Sequence, residues 1–402
     1  MSPPTILIAA RDEEERIGET VAAIRRELPE ATVIVADDGS RDRTATVAAA
    51  AGARVFSLPR RGKGQALTLA EREAPPGPLL LCDADVRGEL SPLLASGADL
   101  TIAAFAVRRG GGFGIAKRAA RALIDAKTGF RPREPLSGQR ALTLKARERC
   151  FPLAGGFGCE VGMTVDALEG GLTVYEVELG LSHRTTGRDA AGFAHRGRQL
   201  VDAFLALGPQ AVNHRGLRLP LVGWLLGLAG GPAATAVAAA GLADDLWSGP
   251  ERGFKAHVRA GRTTGVLKLV AIPVVGMLAT RRVSGAILVG LAANFFNQLD
   301  TKPGRALKAY LVLAVPLRAP LLPAAVLLPC DLREQTMLGD GGSNVLGCLL
   351  GLRSVGRLPA RGRWIAIGAL TSLNLLGEIR SLGELIEQVP VLRRLDALGT
   401  QR

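Results

Sequence analysis

Residues 32–44, TVIVADDGSRDRT, contain the pattern that decides the fold, because a strand-like apolar run ends here in acidic residues and a polar helical stretch follows it. The same alternation extends from residue 5 to residue 82. Strand-like runs lie at residues 5–9, 32–36, 54–57 and 78–82, and helical stretches lie at residues 13–28, 43–51 and 64–72. Strands that alternate with helices form a mostly parallel sheet with helices on both faces. The sequence therefore predicts an α/β domain at the start of the chain.

Acidic residues follow three of the four predicted strands, at residues 10–14 (ARDEE), 37–40 (DDGS) and 83–85 (DAD). In open α/β sheets, ligands bind beyond the carboxyl ends of the strands. Neighbouring carboxylates repel one another unless a cation or hydrogen-bond donors lie between them, so the pattern indicates a divalent cation and a diphosphate. A single Asp pair would be weak evidence, because turns and helix caps also use Asp. Three clusters at strand ends are less easily explained in that way.

A basic turn, residues 60–64 (RRGKG), lies between the second and third acidic clusters. Such a turn can place the Lys63 ammonium group and backbone N–H groups against a phosphate, and the alternative is a solvated basic loop. The spacing of a Walker loop is absent, and the glycines at 110–114 lack the strand-to-helix context of a dinucleotide-binding fingerprint. We therefore expect a nucleotide site of another kind.

Four motifs follow in order: IAARDEEERI (8–17), VADDGSRDRT (35–44), RRGKGQAL (60–67) and LLCDAD (80–85). Together they resemble family 2 glycosyltransferases over roughly residues 4–205, in particular the dolichyl-phosphate-mannose and glucosyl-phosphoglycerate synthase branches. The resemblance implies the GT-A fold, a Rossmann-like nucleotide-sugar-binding domain that uses a UDP- or GDP-linked sugar with Mg²⁺ or Mn²⁺. It implies that Ala10, Arg11, Glu13 and Asp38 frame the nucleoside, that Lys63 lies near the diphosphate, and that Asp83 and Asp85 form the DxD pair, with Asp83 on the nucleotide-sugar and Asp85 on the metal ion.

Further candidates occur later in the same domain. Residues 136–140 (LSGQR) resemble the acceptor-loop segment of this family. Glu160, at the start of a predicted helix, resembles a general base, and the alternative is a helix cap or an ion pair. His183 resembles a histidine that completes the metal shell in related enzymes, and neutral imidazole suits Mn²⁺ or Mg²⁺ beside carboxylates. A histidine after a strand is also commonly structural.

Composition narrows the ligand classes. The chain has 50 Lys and Arg against 37 Asp and Glu, a formal charge of +13, but only 4% aromatic residues. Without an aromatic platform or a base-reading motif, nucleic acid is a poor candidate, whereas phosphorylated ligands and anionic lipid stay open. The five cysteines form no CxxC pair, so we expect reduced thiols rather than disulfides or a zinc site. The N-terminus lacks the basic region of a signal peptide, which places the first domain in the cytoplasm.

Apolar residues concentrate in the second half of the chain. Residues 219–243 are 25 residues without a charge, and shorter uncharged runs follow at 269–280, 283–299, 319–330, 341–352 and 365–377. These runs predict an α-helical membrane domain. The expected organisation is a GT-A domain at 1–210, a helical membrane domain at 211–380 and a tail at 381–402, in a multi-pass protein of the cell membrane.

Polar clusters separate the apolar runs: LADD (242–245), GFKAH (253–257), NFFNQLD (294–300) and LGDGGS (338–343). In this order they resemble the polyprenyl-phosphate N-acetylhexosamine-1-phosphate transferases. The resemblance implies that Asp244 or Asp245 activates the lipid phosphate or acts as nucleophile, and that Asp300 and Asp340 take part in a magnesium and diphosphate site. Several runs have only 12–14 residues, short of the ~20 that a spanning helix needs. A reduced domain, or completion by a homodimer, would account for this.

The leading hypothesis is a membrane-bound glycosyltransferase that transfers a sugar from a nucleotide-sugar to a polyprenyl-phosphate-linked or other phosphorylated acceptor in cell-envelope glycan synthesis. A second hypothesis makes the chain bifunctional, with an active sugar-1-phosphate transferase in its C-terminal half. A third gives the C-terminal half the role of a passive lipid-binding anchor beside a glycosyltransferase with a soluble acceptor.

Overall fold

The computed structural model describes residues 3–105, 114–181, 190–247 and 264–400. By internal contacts the chain divides into two compact units, Met1–Pro220 (the N-terminal unit) and Leu221–Arg402 (the C-terminal unit). The boundaries expected at residues 210 and 380 stay predictions.

A seven-stranded sheet forms the centre of the N-terminal unit. Its strands are β1 (Thr5–Ala10), β2 (Thr32–Asp37), β3 (Arg54–Ser57), β4 (Leu79–Asp83), β5 (Leu100–Phe105), β6 (Arg140–Leu142) and β7 (Val174–Leu179). They lie in the order β3-β2-β1-β4-β6-β5-β7. Only β6 is antiparallel to its neighbours, β4 and β5. The predicted mostly parallel sheet is confirmed, and its first four strands are those expected from the sequence.

Helices cover both faces of this sheet. Alternate strand residues point to opposite sides, so both faces carry apolar side chains that need a covering layer. Ile6 and Ile8 of β1 join one buried apolar cluster, and Leu7 joins another. The helices are α1 (Ile17–Glu27), α2 (Thr44–Ala50), α3 (Lys63–Glu71), α4 (Ser91–Leu94), α5 (Ile115–Thr128), α6 (Leu144–Cys150), α7 (Cys159–Glu169) and α8 (Ala190–Leu207), with a 3₁₀ turn at Gly156–Gly158 before α7. A small antiparallel pair, β8 (Gln210–Val212) and β9 (Arg218–Pro220), follows α8.

The C-terminal unit is helical, as predicted. Its helices are α9 (Leu225–Gly230), α10 (Pro232–Trp247), α11 (Thr264–Thr280), α12 (Val283–Leu299), α13 (Arg305–Leu317), α14 (Leu322–Leu332), α15 (Gly339–Arg357), α16 (Ala360–Ile379), α17 (Leu382–Gln388) and α18 (Pro390–Ala397). Helix α15 is buried over most of its length. Val345 and Leu346 of α15 share one apolar core with Val289 and Phe296 of α12 and with Tyr310 of α13.

The prediction of membrane spans is wrong. Within the described ranges of the chain, none of the helices has both the length and the apolar character that crossing a bilayer requires. The uncharged run at 219–243 is divided between β9, α9 and α10, since Gly231 has a φ of +89° and Pro232 starts a new helix. The expected multi-pass localisation in the cell membrane is corrected accordingly.

Candidate active site

The three acidic clusters meet at one edge of the N-terminal sheet, as the strand order requires. Ala10, the last residue of β1, pairs with Asp37 of β2, and Ala9 pairs with Asp83 of β4. The Ala10 carbonyl oxygen also accepts a hydrogen bond from the backbone N–H of Asp38, at 3.0 Å. The carboxyl ends of β1, β2 and β4 therefore place the predicted nucleotide-binding residues side by side.

Hydrogen bonds between loops fix the first two clusters. The backbone N–H of Asp12 donates to Ser40 Oγ at 3.0 Å, and the N–H of Arg41 donates to Asp12 Oδ1 at 2.8 Å. The backbone N–H of Glu13 donates to Thr44 Oγ1 at 2.8 Å, and the Glu13 carboxylate accepts from Arg16 at 3.1 Å. The residues expected to frame a nucleoside thus lie on two loops that are held together by hydrogen bonds.

Asp38 holds the basic turn in place. Its buried carboxylate accepts hydrogen bonds from the backbone N–H groups of Arg61, at 2.6 Å, and Gly62, at 3.0 and 3.1 Å. Burial raises the pKa of Asp38, and these hydrogen bonds oppose the rise. Gly62 has a φ of +99°, a conformation that favours glycine and lets the turn lead directly into α3.

Positive charge accumulates beside this turn. Burial lowers the pKa of Arg60, and the positive charges of Arg11, Arg198 and Arg41 lower it further, while Asp38 opposes them. Arg11 Nε lies 3.5 Å from Asp12 Oδ2, and it is buried without a hydrogen-bond acceptor in the described part of the chain. An anion bound here would relieve the repulsion among these guanidinium groups.

Lys63 connects the basic turn to two acidic residues. Its Nζ donates to Asp83 Oδ1 at 2.6 Å and to Glu160 Oε1 at 2.7 Å. The Lys63 side chain is 16% exposed and that of Glu160 is 5% exposed. Burial alone would lower the pKa of Lys63, but Asp83 and Glu160 outweigh burial and raise the pKa well above its usual value. Lys63 therefore carries its charge at any physiological pH.

The other oxygens of these carboxylates also have donors. Gln139 Nε2 donates to Asp83 Oδ2 at 2.8 Å, and the Cys159 thiol donates to Glu160 Oε2 at 3.1 Å. The sequence did not single out Gln139 or Cys159 as members of this network. The only signal for Gln139 was its place in the segment 136–140, and for Cys159 its position next to Glu160.

The predicted metal ligands are only partly described by the structure. Asp85 is partly exposed two residues beyond the end of β4, and its charge contributes, after that of Glu13, to raising the pKa of Arg16. His183 lies outside the described residues. No set of three or more His, Cys, Asp and Glu side chains in the described ranges is arranged to hold a metal ion.

The C-terminal unit has an acidic cluster of its own. Lys268 Nζ donates to Asp244 Oδ2 at 2.8 Å and also to Asp340 Oδ2. The Asp245 carboxylate accepts from the backbone N–H groups of Asp340, at 2.9 Å, and Gly341, at 3.0 Å, at the start of α15. Burial, followed by the charge of Asp340, raises the pKa of Asp245 to about 7.

Asp300 belongs to the same cluster. Burial raises its pKa well above the usual range, and the charges of Asp331, Asp340 and Asp245 add to this. The structure therefore places Asp300 within electrostatic reach of Asp245 and Asp340, and Lys268 joins Asp340 to Asp244. The sequence missed Lys268 and Asp331, which directly precede the apolar run 269–280 and directly follow the apolar run 319–330, respectively.

Comparison with known proteins gives the context for the site. The model of glycosyl transferase family 2 matches residues 5–113. The glucosyl-3-phosphoglycerate synthase of Mycolicibacterium paratuberculosis is 30% identical over 241 residues, which cover 50% of this chain and 71% of that protein. The synthase of Mycolicibacterium smegmatis is 31% identical over 245 residues, which cover 50% and 76%.

Solved structures include the glucosyl-3-phosphoglycerate synthase of Mycobacterium tuberculosis in complex with Mn²⁺, UDP and glucosyl-3-phosphoglycerate. It is 26% identical, with a TM-score of 0.44, and the match covers 51% of this chain and 79% of that one. Another structure of that synthase contains Mg²⁺ and UDP. Mn²⁺ and Mg²⁺ are thus each present with UDP in a solved structure of that synthase.

The sheet order, the site and the sequence relationships together define a nucleotide-sugar-dependent glycosyltransferase. The chain belongs to glycosyltransferase family 2, and its N-terminal unit has the GT-A fold.

Proposed function

We propose that the N-terminal unit transfers a sugar from a UDP- or GDP-linked donor to a phosphorylated acceptor. The observation that carries this proposal is Lys63, a buried ammonium group held between Asp83 and Glu160 at the carboxyl end of the sheet. A nucleoside diphosphate is the leaving group of such a reaction, and a fixed cation stabilises the negative charge that develops on it. Ala10, Arg11, Glu13 and Asp38 are proposed to frame the nucleoside.

A phosphorylated acceptor is favoured by the charge at the site and by the relatives. Burial lowers the pKa of Arg60, and the positive charges of Arg11, Arg198 and Arg41 lower it further, so this edge of the unit favours anions. The two relatives are named glucosyl-3-phosphoglycerate synthases, and their named product contains a phosphorylated hydroxy acid. A small phosphorylated hydroxy acid is therefore the first acceptor to test.

Asp85 and His183 are proposed to hold Mg²⁺ or Mn²⁺. Carboxylate and imidazole are suitable ligands for these cations, which commonly bind one or two protein carboxylates and complete their shell with phosphate oxygens and water. The cation would supply further neutralisation of the diphosphate. Asp83 has both oxygens engaged by Lys63 and Gln139, which is consistent with a role on the nucleotide-sugar side.

For Glu160, two roles remain. The short contact with Lys63 favours the ion-pair role, in which Glu160 holds the ammonium group in place. The general-base role requires that Glu160 receive a proton from the acceptor hydroxyl. Glu160→Gln separates them, because the amide keeps an oxygen for Lys63 but takes up no proton.

The experiment uses the purified chain, Mn²⁺ or Mg²⁺, and three donors: UDP-glucose, UDP-N-acetylglucosamine and GDP-mannose. Acceptors are 3-phosphoglycerate, glycerol 3-phosphate and a polyprenyl phosphate in detergent. Acceptor-dependent release of nucleoside diphosphate, abolished in Asp85→Ala and retained in Glu89→Ala, supports the proposal; Glu89 is an exposed acidic residue four positions away. Release of no nucleoside diphosphate with any acceptor would contradict it.

We propose a second function for the C-terminal unit, sugar-1-phosphate transfer to a polyprenyl phosphate. The favouring observation is Lys268, which donates to Asp244 and Asp340. Asp245 of α10, whose carboxylate accepts from backbone N–H groups at the start of α15, is the candidate nucleophile. Asn344 lies four residues after Asp340 on α15, and thus on the same helix face, and its buried Nδ2 has no hydrogen-bond partner among the described residues. Asp300 and Asp340 are the proposed Mg²⁺ ligands.

Release of nucleoside monophosphate in the same assay, abolished by Asp300→Ala, supports the second function. Its absence with every donor would leave the C-terminal unit without this activity. Diphosphate release that depends on Asp85 but not on Asp300 would assign transfer to the N-terminal unit alone. The homodimer stays a prediction, to be checked by the mass of the purified chain in solution.

A further inference from the structure

The segment 137–140 is shaped around the carboxylate of Asp83. Antiparallel pairing of β4 with β6 sets Leu81 opposite Arg140, and extending this register by two residues sets Gly138 opposite Asp83. A Cβ atom at Gly138 would collide with both carboxylate oxygens of Asp83. Glycine leaves room for the carboxylate here because it has no side chain, so the backbone at residue 138 packs directly against the Asp83 carboxylate.

Gln139 then supplies the hydrogen bond that orients this carboxylate. Its side chain is completely buried, and Nε2 donates to Asp83 Oδ2 at 2.8 Å. The Ser137 hydroxyl donates to Gln139 Oε1 at 3.3 Å, so the amide oxygen is engaged and the NH₂ group faces Asp83. The Gln139 backbone is fixed as well, because its carbonyl oxygen accepts from the N–H of Ala103 at 3.0 Å.

Arg140 fixes the same segment through hydrogen bonds of its side chain. This fully buried guanidinium group donates to the carbonyl oxygens of Ser137, at 2.8 Å, and Pro135, at 3.1 Å, and to Thr164 Oγ1 at 2.8 Å. These hydrogen bonds hold the backbone around Gln139 in place. A binding carboxylate can be positioned precisely only if the residue that orients it is itself fixed.

We infer that Gln139 is a positioning residue for the nucleotide-sugar: together with Lys63 it locks the Asp83 carboxylate in the orientation that receives the donor. This inference rests on the proposed role of Asp83 in donor binding, and it assigns Gln139 to donor recognition instead of the acceptor loop that the sequence resemblance implied.

Two substitutions isolate the hydrogen bond. Gln139→Met keeps the length of the side chain and removes the NH₂ donor, whereas Gln139→Glu keeps the shape and places a second carboxylate against Asp83. We expect at least about a tenfold loss of UDP or GDP affinity in Gln139→Met, in line with the loss of one hydrogen bond to a charged group. The Gln139→Glu variant should bind the nucleotide more weakly still, because the two carboxylates repel each other.

Nucleotide affinity is measured by titration calorimetry with Mn²⁺ on the full chain, and the melting temperature without nucleotide is measured in parallel. Gln210→Met is the matched control, since Gln210 in the same unit donates only to the Leu205 carbonyl oxygen in the described contacts. Activity assays add a second readout: KM for the donor should rise in Gln139→Met, and KM for the acceptor should stay unchanged.

Weakened nucleotide binding at an unchanged melting temperature supports the inference. Binding equal to that of the wild type overturns it while leaving the proposed function intact. If Gln139→Met also lowers the melting temperature, Ser137→Ala decides: it leaves the amide present but frees its orientation, so reduced affinity supports the inference and wild-type affinity overturns it. A wild-type chain that binds neither UDP nor GDP overturns the proposed function and this inference with it.

Discussion

Lys63 donates a 2.7 Å hydrogen bond to Glu160, which lies 97 residues further along the chain. The contact joins the start of α3 to the first turn of α7, and Asp83 at the end of β4 accepts a second hydrogen bond from the same ammonium group. Both side chains are largely shielded from water, so each charge depends on the other for compensation. The ion pair is therefore part of the fold as well as of the site.

Lys63→Met should remove donor-dependent activity and destabilise the N-terminal unit by about 3–5 kcal/mol, because it leaves Glu160 buried without its cation. The double variant Lys63→Met/Glu160→Gln should recover part of this stability but none of the activity. Urea unfolding and nucleoside diphosphate release measure the two effects. A double variant that is less stable than Lys63→Met would contradict the coupling.

The first four strands and three helices could be predicted because their pattern is local: each apolar run is short and ends in charged or turn-forming residues. β6 was not recognised, since Arg140–Leu142 is only three residues long and acquires its strand conformation by insertion between β4 and β5. The role of Gln139 depends on that insertion, which no local pattern encodes.

In the C-terminal unit the local pattern was recognised but its environment was misinterpreted. Its apolar runs were interpreted as membrane spans, yet periodicity cannot distinguish a helix buried in protein from one that spans a bilayer. Phe296, which is buried in the shared helical core, belongs to such a run at 283–299. The acidic residues Asp244, Asp245 and Asp340 were recognised because charges interrupt apolar sequence, whereas the bridging cation Lys268 was not.

Asp85→Asn should abolish transfer while changing the free energy of unfolding by less than about 1 kcal/mol, because the side chain is partly exposed and not part of a core. Chelation of divalent cations should have the same effect on activity in the wild type, and added Mn²⁺ or Mg²⁺ should restore it. Transfer is followed with and without EDTA. Activity that persists in Asp85→Asn at any Mn²⁺ concentration would exclude Asp85 as a cation ligand.

The stability of the C-terminal unit should depend on Asp331. Burial raises the pKa of this carboxyl to about 6, above its usual value of 3.8, although hydrogen bonds from the N–H groups of Gly304 and Leu338 oppose the rise. The folded state thus favours the protonated acid, so its contribution to stability is present below pH about 4 and is lost as the pH rises to about 6. The test is the melting temperature of the wild type and of Asp331→Asn at several pH values between 4 and 7. As the pH rises, the melting temperature should fall less in the variant than in the wild type.

The pKa of Asp396 is shifted in the direction opposite to that of Asp331, so its charged form contributes stability that is lost as the pH falls. Its carboxylate accepts two hydrogen bonds from Arg305, at 2.9 and 2.8 Å, and Arg305 holds the pKa of Asp396 below its usual value. Arg305→Ala leaves Asp396 largely shielded without a partner, and we expect a loss of several kcal/mol together with proteolytic release of α18. Lys302→Ala is the matched control, because its ion pair with Glu387 is about half exposed and worth about 0–1 kcal/mol. Equal protease sensitivity in both variants would argue against an anchoring role for Arg305.

Gly64 tests how closely the basic turn must pack. A Cβ atom at this position would overlap the carbonyl oxygen of Ala154, and backbone atoms cannot move aside as a flexible side chain can. Gly64→Ala should therefore push α3 away from the segment before α7 and lengthen the contact between Lys63 and Glu160. We expect a destabilisation of about 1–3 kcal/mol and a loss of nucleotide affinity. Gly180→Ala provides the control, since a Cβ atom there meets no other atom of the described residues within 4 Å. If Gly64→Ala bound UDP or GDP as tightly as the control, the position of Lys63 would not depend on this close approach.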